Sequence, residues 1–407
     1  MSMSPEPFDV EALRSRFPSL ASGIAHFDGP GGTQTPAAVG EAVARTLTGP
    51  LSNRGRAISS EENAEHAITA FRSAYADLLG VPANGVVYGR SATQIAYDFS
   101  RHLSRDWGPG DEVVVTRLDH DSNVRPWVQA AERVGATVRW LEMNTATSEL
   151  VLDDLDSVVT ERTRVVAVTA ASNLLGTKPP VRSIADRAHQ VGALVYVDGV
   201  HYAAHTFVDV PALGADFFVC SPYKFFGPHC ALLGAEPALL ETIRPDKLLP
   251  STNVVPERFE FGTLPYETMA GAAAAVDFLA SLAPGTASSR RDQLAASYEA
   301  VEKHEQILRD RLDAGLDALD DRITVHSHAQ DRTPTTLLTF PGRRSWDAYL
   351  FLAERNILAP AGSFYAHEAF TALALEDQHA LRVGLAPYNT VEEIDRLLNA
   401  LDEFTSR

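Results

Sequence analysis

The sequence is poor in cysteine, in basic charge and in long apolar runs, and each shortage excludes a class of protein. Only two cysteines occur in 407 residues, too few for the disulfide framework of a small secreted domain. The formal net charge of −18 argues against nucleic acid and anionic membranes as partners. No apolar run approaches the roughly 20 residues that cross a bilayer, and the first residues lack a signal peptide's basic-then-apolar pattern. These shortages predict a cytoplasmic protein.

The remaining composition is ordinary for a soluble enzyme. Hydrophobic residues make up 45% and charged residues 22% of the chain, and neither repeats nor low-complexity segments occur. A chain of 407 residues exceeds one comfortable hydrophobic core, so we expect two domains. The one notable Pro/Gly/Ser-rich break is Ala283–Arg290. We therefore predict a large domain over residues 20–285 and a small domain built from 1–19 and 286–407.

The stretch Val195–Pro228 carries the strongest chemical signal. Two short apolar runs, Leu194–Val197 and Phe217–Cys220, are bounded by turn residues and predict buried strands. Asp198 follows the first run and Lys224 comes shortly after the second. Because ligands collect beyond the carboxyl ends of strands in open α/β sheets, we expect both side chains in one crevice. A carboxylate that holds a pyridinium nitrogen and an amine that bonds an aldehyde indicate pyridoxal phosphate.

Either residue alone would more often be a helix cap or a surface lysine, and the surrounding pattern decides between these alternatives. D-G-x-x-x-x-x-H followed by S-x-x-K-x-x-G-P resembles the class V aminotransferases, which include cysteine desulfurases, selenocysteine lyases, isopenicillin N epimerases and kynureninases. The resemblance extends from about Phe27 to Leu398. It implies the α/β fold-type I architecture of pyridoxal-phosphate-dependent transferases. A large domain would have a mainly parallel sheet sandwiched by helices, beside a smaller α+β domain.

The resemblance also implies the cofactor, pyridoxal 5'-phosphate, and its contacts. Lys224 would hold the aldehyde and move protons, Asp198 would pair with the ring nitrogen, and His120 would lie over the pyridine ring. The other implied contacts are Ser91, Ala92, Thr93, Ser221 and Tyr223 at the phosphate, Asn173 and His201 at the phenolic oxygen, and Thr263 at the phosphate of a neighbouring subunit. A homodimer with a shared active site follows. The plain alternatives are an ordinary Ser/Thr helix cap and a structural histidine.

Substrate contacts are implied on both sides of the cofactor. Arg382, in the sequence L-R-V-G, matches the residue that binds the substrate carboxylate, a task suited to a guanidinium fork. The alternative is a salt-bridged surface arginine. Asn53 and Arg54 stand in a polar loop that approaches the substrate in related enzymes. Tyr365, beside Phe364, would line a pocket for a bulky side chain, unless both rings simply pack the small domain.

The reaction is predicted from one missing side chain. Cysteine desulfurases need a cysteine in the loop before the carboxylate arginine, and Ala361–His367 contains none. We therefore expect β-elimination from a cysteine S-conjugate to a thiol, pyruvate and ammonia, similar to the C–S lyases of lincosamide and ergothioneine biosynthesis. Decarboxylation coupled to oxidative deamination, transamination and epimerisation stay open, and so does a non-enzymatic cofactor-binding module. We expect no catalytic metal.

Overall fold

A seven-stranded sheet forms the centre of the molecule in the computed structural model, which describes residues 8–283 and 287–407. Residues 1–7 and part of the predicted break at 283–290 lie outside the described chain. The strands are Val86–Gly89 (β1), Glu112–Thr116 (β2), Thr137–Leu141 (β3), Thr163–Thr169 (β4), Leu194–Asp198 (β5), Phe217–Cys220 (β6) and Ala231–Ala235 (β7). Their spatial order is β1-β7-β6-β5-β4-β2-β3. The run from β6 to β3 is parallel, whereas β7 pairs antiparallel with both neighbours.

Both faces of this sheet are buried, which explains why the strands read as short continuous apolar runs. In β5, Val195 and Val197 belong to one core and Tyr196 to the core on the opposite face. In β2, Val114 points to the first core while Val113 and Val115 belong to the second. This alternation follows from the two-residue period of side chains along a strand. The predicted α/β fold with a sheet sandwiched by helices is confirmed.

Helices cover the sheet and form the connections between its strands. The described chain contains helices Val10–Arg14, Ala37–Thr48, Ser59–Leu79, Ala92–Leu103, Arg125–Val134, Leu155–Val158, Val181–Gln190, Val210–Leu213, Pro237–Thr242, Tyr266–Ala280, Arg290–Asp317, Ser345–Ala353, His367–Leu373 and Val391–Ser406. The longest of them, Arg290–Asp317, contributes Leu294 and Tyr298 to the large-domain core and Leu308 to the small-domain core. It therefore ties the two cores together. None of the helices in the described ranges is both long and apolar enough to cross a membrane.

A four-stranded antiparallel sheet carries the smaller unit. Its strands are Thr324–Val325 (β8), Thr335–Thr339 (β9), Ala361–Gly362 (β10) and Ala380–Gly384 (β11), in the order β8-β9-β11-β10. The short strand Ala25–His26 pairs in parallel with Ile357–Leu358, and Phe27 packs in the small-domain core. Phe17, in contrast, packs in the large-domain core. The predicted limits put residues 1–19 in the small domain and residue 20 onward in the large domain. Phe17 and Phe27 pack in the opposite cores to those expected, and the remaining limits stay a prediction.

Candidate active site

A cavity lies at the carboxyl edge of the large sheet, beyond β4, β5 and β6. It is lined by Ser91, Ala92, Thr93, His120, Ser122, Thr169, Ala171, Asn173, Asp198, Val200, His201, Ser221, Tyr223 and Lys224. Ten of the residues that sequence patterns assigned to a cofactor are in this set. Parallel strands deliver their following loops to one edge, which is why segments far apart in sequence meet here.

Lys224 lies on the turn that joins β6 to the antiparallel strand β7. It is 6% exposed, and its Nζ donates to the backbone oxygen of Pro30 at 2.6 Å. Burial, with the positive charge of Arg382, lowers the pKa of Lys224 from its ordinary value to about 7, although Asp198 acts in the opposite direction. A substantial fraction of the amine is therefore unprotonated near neutral pH, as a nucleophile toward an aldehyde must be.

The loop that receives this hydrogen bond can approach the lysine only because Gly384 lacks a side chain. A Cβ at Gly384 would lie 2.1 Å from Cδ of Pro30. The glycine-rich segment Phe27–Thr33 thus packs directly on β11, and Pro30 and Gly31 become part of the cavity mouth. The sequence alone did not predict this contact with Lys224.

Asp198 lines the cavity floor, and the charge of Asp198 acts on Asp119, which is buried outside the cavity lining. Asp198 is 6% exposed and its Oδ1 accepts from the backbone N–H of Val200 at 2.9 Å. Burial raises the pKa of Asp198, while Lys224 lowers it. Asp119 is fully buried, accepts from Asn123 Nδ2 at 2.7 Å, and has its pKa raised by burial to about 8. Sequence reasoning missed Asp119, because an acid after a buried strand is usually a cap.

His120 is held as a neutral ring. Its Nδ1 accepts from the backbone N–H of Ser122 at 3.1 Å, which leaves the hydrogen on Nε2. Burial, together with Lys224 and Arg382, lowers the pKa of His120 to about 3. An uncharged imidazole at the cavity wall suits stacking on an aromatic ring and avoids a further buried positive charge.

The N-terminus of helix Ala92–Leu103 closes one end of the cavity. Ser91 caps it by accepting from the backbone N–H of Gln94 at 3.1 Å. The hydroxyl of Ser91 therefore serves the helix, and the backbone N–H groups of Ala92 and Thr93 are the donors that suit a phosphate. Ser221 and Tyr223 line the same cavity. Tyr223 stacks on His229 with centroids 4.8 Å apart, which fixes its ring.

Asn173 and His201 each bring a free polar atom to the cavity wall. Asn173 Nδ2 donates to the backbone oxygen of Phe364 at 2.9 Å, and its buried Oδ1 has no partner within the described chain. The Nε2 of His201 lies 2.9 and 3.0 Å from the hydroxyls of Thr333 and Thr335, and its buried Nδ1 is likewise unpartnered there. Only Nδ1 of His201 is left for the contact predicted with a phenolic oxygen.

Arg382 faces a larger outer chamber that opens from the cavity and shares Thr93, His120 and Lys224 with it. The guanidinium is 3% exposed, donates from Nη1 to the backbone oxygen of Asn173 at 2.9 Å, and lies 3.8 Å from the centroid of the Phe364 ring. Burial lowers its pKa to about 9. Arg382 makes no salt bridge with the described residues, which disfavours the surface-arginine alternative.

Three predicted residues do not reach this site within one chain. Asn53 and Arg54 are exposed, and Arg54 forms salt bridges with Glu65 and Glu257. Thr263 is exposed beside a separate cavity that includes Tyr88. Thr263 was expected at the phosphate of a neighbouring subunit, and Asn53 and Arg54 in a loop that approaches the substrate. These roles stay predictions.

The cavity fits pyridoxal 5'-phosphate on the evidence of its own polar atoms. The unpartnered nitrogen of His201 is buried, and such an atom is costly unless a ligand satisfies it. A lysine of lowered pKa, a neutral stacking ring and free helix N–H groups supply the other contacts. Within the described ranges no group of His, Cys, Asp and Glu could hold a metal ion.

Neither cysteine is available for chemistry at this site. Cys220 and Cys230 are 0% and 1% exposed, and neither lines the cavity or the outer chamber. Burial raises the pKa of both thiols, that of Cys230 to about 12. A buried thiol with a raised pKa is a poor nucleophile.

Comparison with known proteins agrees with the architecture. The family model for aminotransferase class-V matches residues 25–397. The chain is 32% identical to an aminotransferase-like protein, FGM3, of Gibberella zeae, over 98% of this chain and 99% of that protein. It is also 32% identical to a probable cysteine desulfurase of Pseudomonas aeruginosa, over 96% of both. The solved cysteine desulfurase CsdA of Escherichia coli superposes with a TM-score of 0.84 at 27% identity, covering 97% of this chain and 98% of that one. The chain therefore belongs to the class-V aminotransferase family of pyridoxal-phosphate-dependent enzymes.

Proposed function

We propose that this enzyme is a C–S lyase that converts a cysteine S-conjugate and water into a thiol, pyruvate and ammonia. The observation that carries the proposal is the loop Ala361–His367, which forms the wall of the outer chamber and contains no thiol. A persulfide-forming enzyme needs a thiolate that reaches the sulfur of its substrate. Here the two thiols of the chain are buried elsewhere, so a sulfur that is released from the substrate would leave with its own substituent.

The loop is also fastened to the cavity wall. The backbone oxygen of Phe364 accepts from Asn173 Nδ2 at 2.9 Å, and that of Tyr365 accepts from the backbone N–H of Asp121 at 2.7 Å. Phe364 and Tyr365 both adopt left-handed backbone angles, φ 55° and 56°. Residues other than glycine are uncommon in this backbone region and persist there when the surrounding structure holds them. The loop thus serves as a fixed wall that positions substrate.

The chain supplies the two operations that β-elimination requires. Arg382 binds the substrate carboxylate, which orients the Cα–H bond, and Nζ of Lys224 takes the proton from Cα. Pyridoxal phosphate, when bound, supplies the electron sink for the pair left at Cα. The Cβ–S bond then breaks, the sulfur departs with its electron pair and is protonated, and hydrolysis of the remaining fragment gives pyruvate and ammonia.

The size of the outer chamber supports a substituent on sulfur. Beyond Lys224 and Arg382 the chamber is bounded by Tyr97, Arg125 and Tyr365. Phe364 supports the guanidinium of Arg382, so Tyr365, which is 77% exposed, is the ring free to contact a bulky group at the rim. Free cysteine would leave this space unfilled.

The proposal is tested by incubating the holoenzyme with S-benzylcysteine and, separately, with free cysteine. We expect thiol, pyruvate and ammonia in equal amounts from the conjugate and no sulfane sulfur from either compound. The matched control is the double variant Cys220→Ala/Cys230→Ala, which should retain this turnover. Alanine with sulfane sulfur, an aldehyde with carbon dioxide, or an amino group passed to a keto acid would each contradict the lyase proposal and identify the alternative reaction.

A further inference from the structure

His201 is placed between the cofactor cavity and two hydroxyls of the small domain. The ring is 2% exposed, and Thr333 and Thr335, which contact its Nε2, are 2% and 0% exposed. Thr335 is the first residue of β9, whereas His201 follows β5 of the large domain. The contact therefore joins the two units directly behind the cavity wall.

The hydrogens of these hydroxyls decide which nitrogen of His201 carries the proton. Oγ1 of Thr333 and of Thr335 lie 2.9 and 3.0 Å from Nε2. Their other acceptors are more distant, since Thr333 reaches Gly176 O at 3.4 Å and the two hydroxyls are 3.4 Å apart. A hydroxyl donates best along the short contact, so Nε2 must offer a lone pair. In a neutral imidazole the hydrogen then lies on Nδ1.

The surroundings keep the ring neutral. Burial, then His205, Lys224 and Arg382, lower the pKa of His201 well below its ordinary value. The ring of His205 packs at 4.9 Å between centroids, and its Nδ1 lies 2.9 Å from Glu305. His205 and Glu305 line a pocket on the side away from His201, and its other charged residues are Lys178, Glu302, Arg309, Asp331 and Arg332.

We propose that Thr333 and Thr335 are positioning residues that fix His201 in the Nδ1–H tautomer, so that its free nitrogen is a hydrogen-bond donor toward the cofactor. The inference rests on the proposed use of this cavity but not on the reaction that follows. A histidine free in water carries its hydrogen mainly on Nε2, so without the two hydroxyls the ring would present a lone pair to an oxygen acceptor. Such a contact repels instead of stabilising.

The first test is nitrogen NMR of ¹⁵N-histidine-labelled apoprotein at neutral pH, with His201→Gln identifying the resonances. We expect a protonated Nδ1 and an unprotonated Nε2, and a shift toward protonated Nε2 in the double variant Thr333→Val/Thr335→Val. A protonated Nε2 in the unaltered protein would overturn the inference. This measurement does not depend on whether the threonine variants fold.

The second test is the dissociation constant of pyridoxal phosphate for the apoprotein, measured by fluorescence titration. We expect the double valine variant to bind about tenfold more weakly, as for loss of one hydrogen bond, and Thr333→Ser/Thr335→Ser to bind normally. In the His201→Gln background, where an amide N–H needs no tautomer, the valine pair should have no effect. An equal loss in both backgrounds would contradict the inference and indicate a structural role. Neither the NMR spectrum nor the dissociation constant depends on lyase activity. The inference about His201 can therefore fail while the proposed reaction holds, and the proposed reaction can fail while the inference holds.

Discussion

Replacement of Arg382 by methionine should weaken the enzyme specifically toward substrates that carry a carboxylate. Methionine keeps an apolar stem beside the ring of Phe364, which the guanidinium contacts at 3.8 Å, but it removes the charge. Loss of one partner from a buried charge pair costs roughly 2–5 kcal/mol. At about 1.4 kcal/mol for each factor of ten, kcat/KM should fall about 30-fold to about 4,000-fold.

The assay compares two ligands and two variants. Pyruvate release from S-benzylcysteine gives kcat/KM, and the change in visible absorbance on adding S-benzylcysteamine, which lacks the carboxylate, gives its affinity. Arg382→Met should impair the first and leave the second unchanged. Arg311→Met, which removes a half-exposed partner of Asp395, is the matched control and should change neither appreciably. Equal losses for the two ligands in Arg382→Met would refute the carboxylate assignment.

Three further predictions concern the lysine, the rim and the assembly. The rate at which the apoprotein captures pyridoxal phosphate, followed by stopped-flow absorbance, should increase as the pH rises through a midpoint near 7, because the lowered pKa of Lys224 leaves Nζ mostly unprotonated above that pH. Arg382→Met should raise this midpoint. A midpoint above 9 in the unaltered protein would contradict a lowered pKa of Lys224. Tyr365→Ala should reduce kcat/KM for bulky S-conjugates far more than for S-methylcysteine, whereas equal losses would exclude a rim contact. Because the resemblance assigns Thr263 to the phosphate of a neighbouring subunit, sedimentation should show a dimer. An active monomer at micromolar concentration would exclude a shared site.

Much of this site could be predicted because its residues follow buried strands. Apolar runs indicated β5 and β6, and the end of each strand placed Asp198 and Lys224 at one sheet edge before any distance was known. The roles of His120 and Asn173 came from the family resemblance, and both residues line the same cavity. Local sequence suffices here because strand ends fix the positions of the residues that follow.

Contacts across the chain could not be predicted in this way. The Pro30 oxygen beside Lys224, the threonine hydroxyls beside His201 and the ring of Phe364 under Arg382 come from distant segments, and nothing in their own neighbourhoods signals the meeting. The pairing of Ala25–His26 with Ile357–Leu358 is a further case, since a two-residue strand has no periodicity. The assignment of the N-terminal segments to the domains depended on such long-range pairing.

The most direct test of the account is to reduce the holoenzyme with borohydride, digest it and locate the cofactor by mass spectrometry. The central claim is that one cavity, with Lys224 at its floor, holds the cofactor and does the chemistry. We expect the visible band to disappear on reduction, the added mass to lie on Lys224, and the Lys224→Ala protein to bind some cofactor without labelling or turnover. Cofactor recovered on a peptide that lacks Lys224, or turnover by Lys224→Ala, would contradict the account.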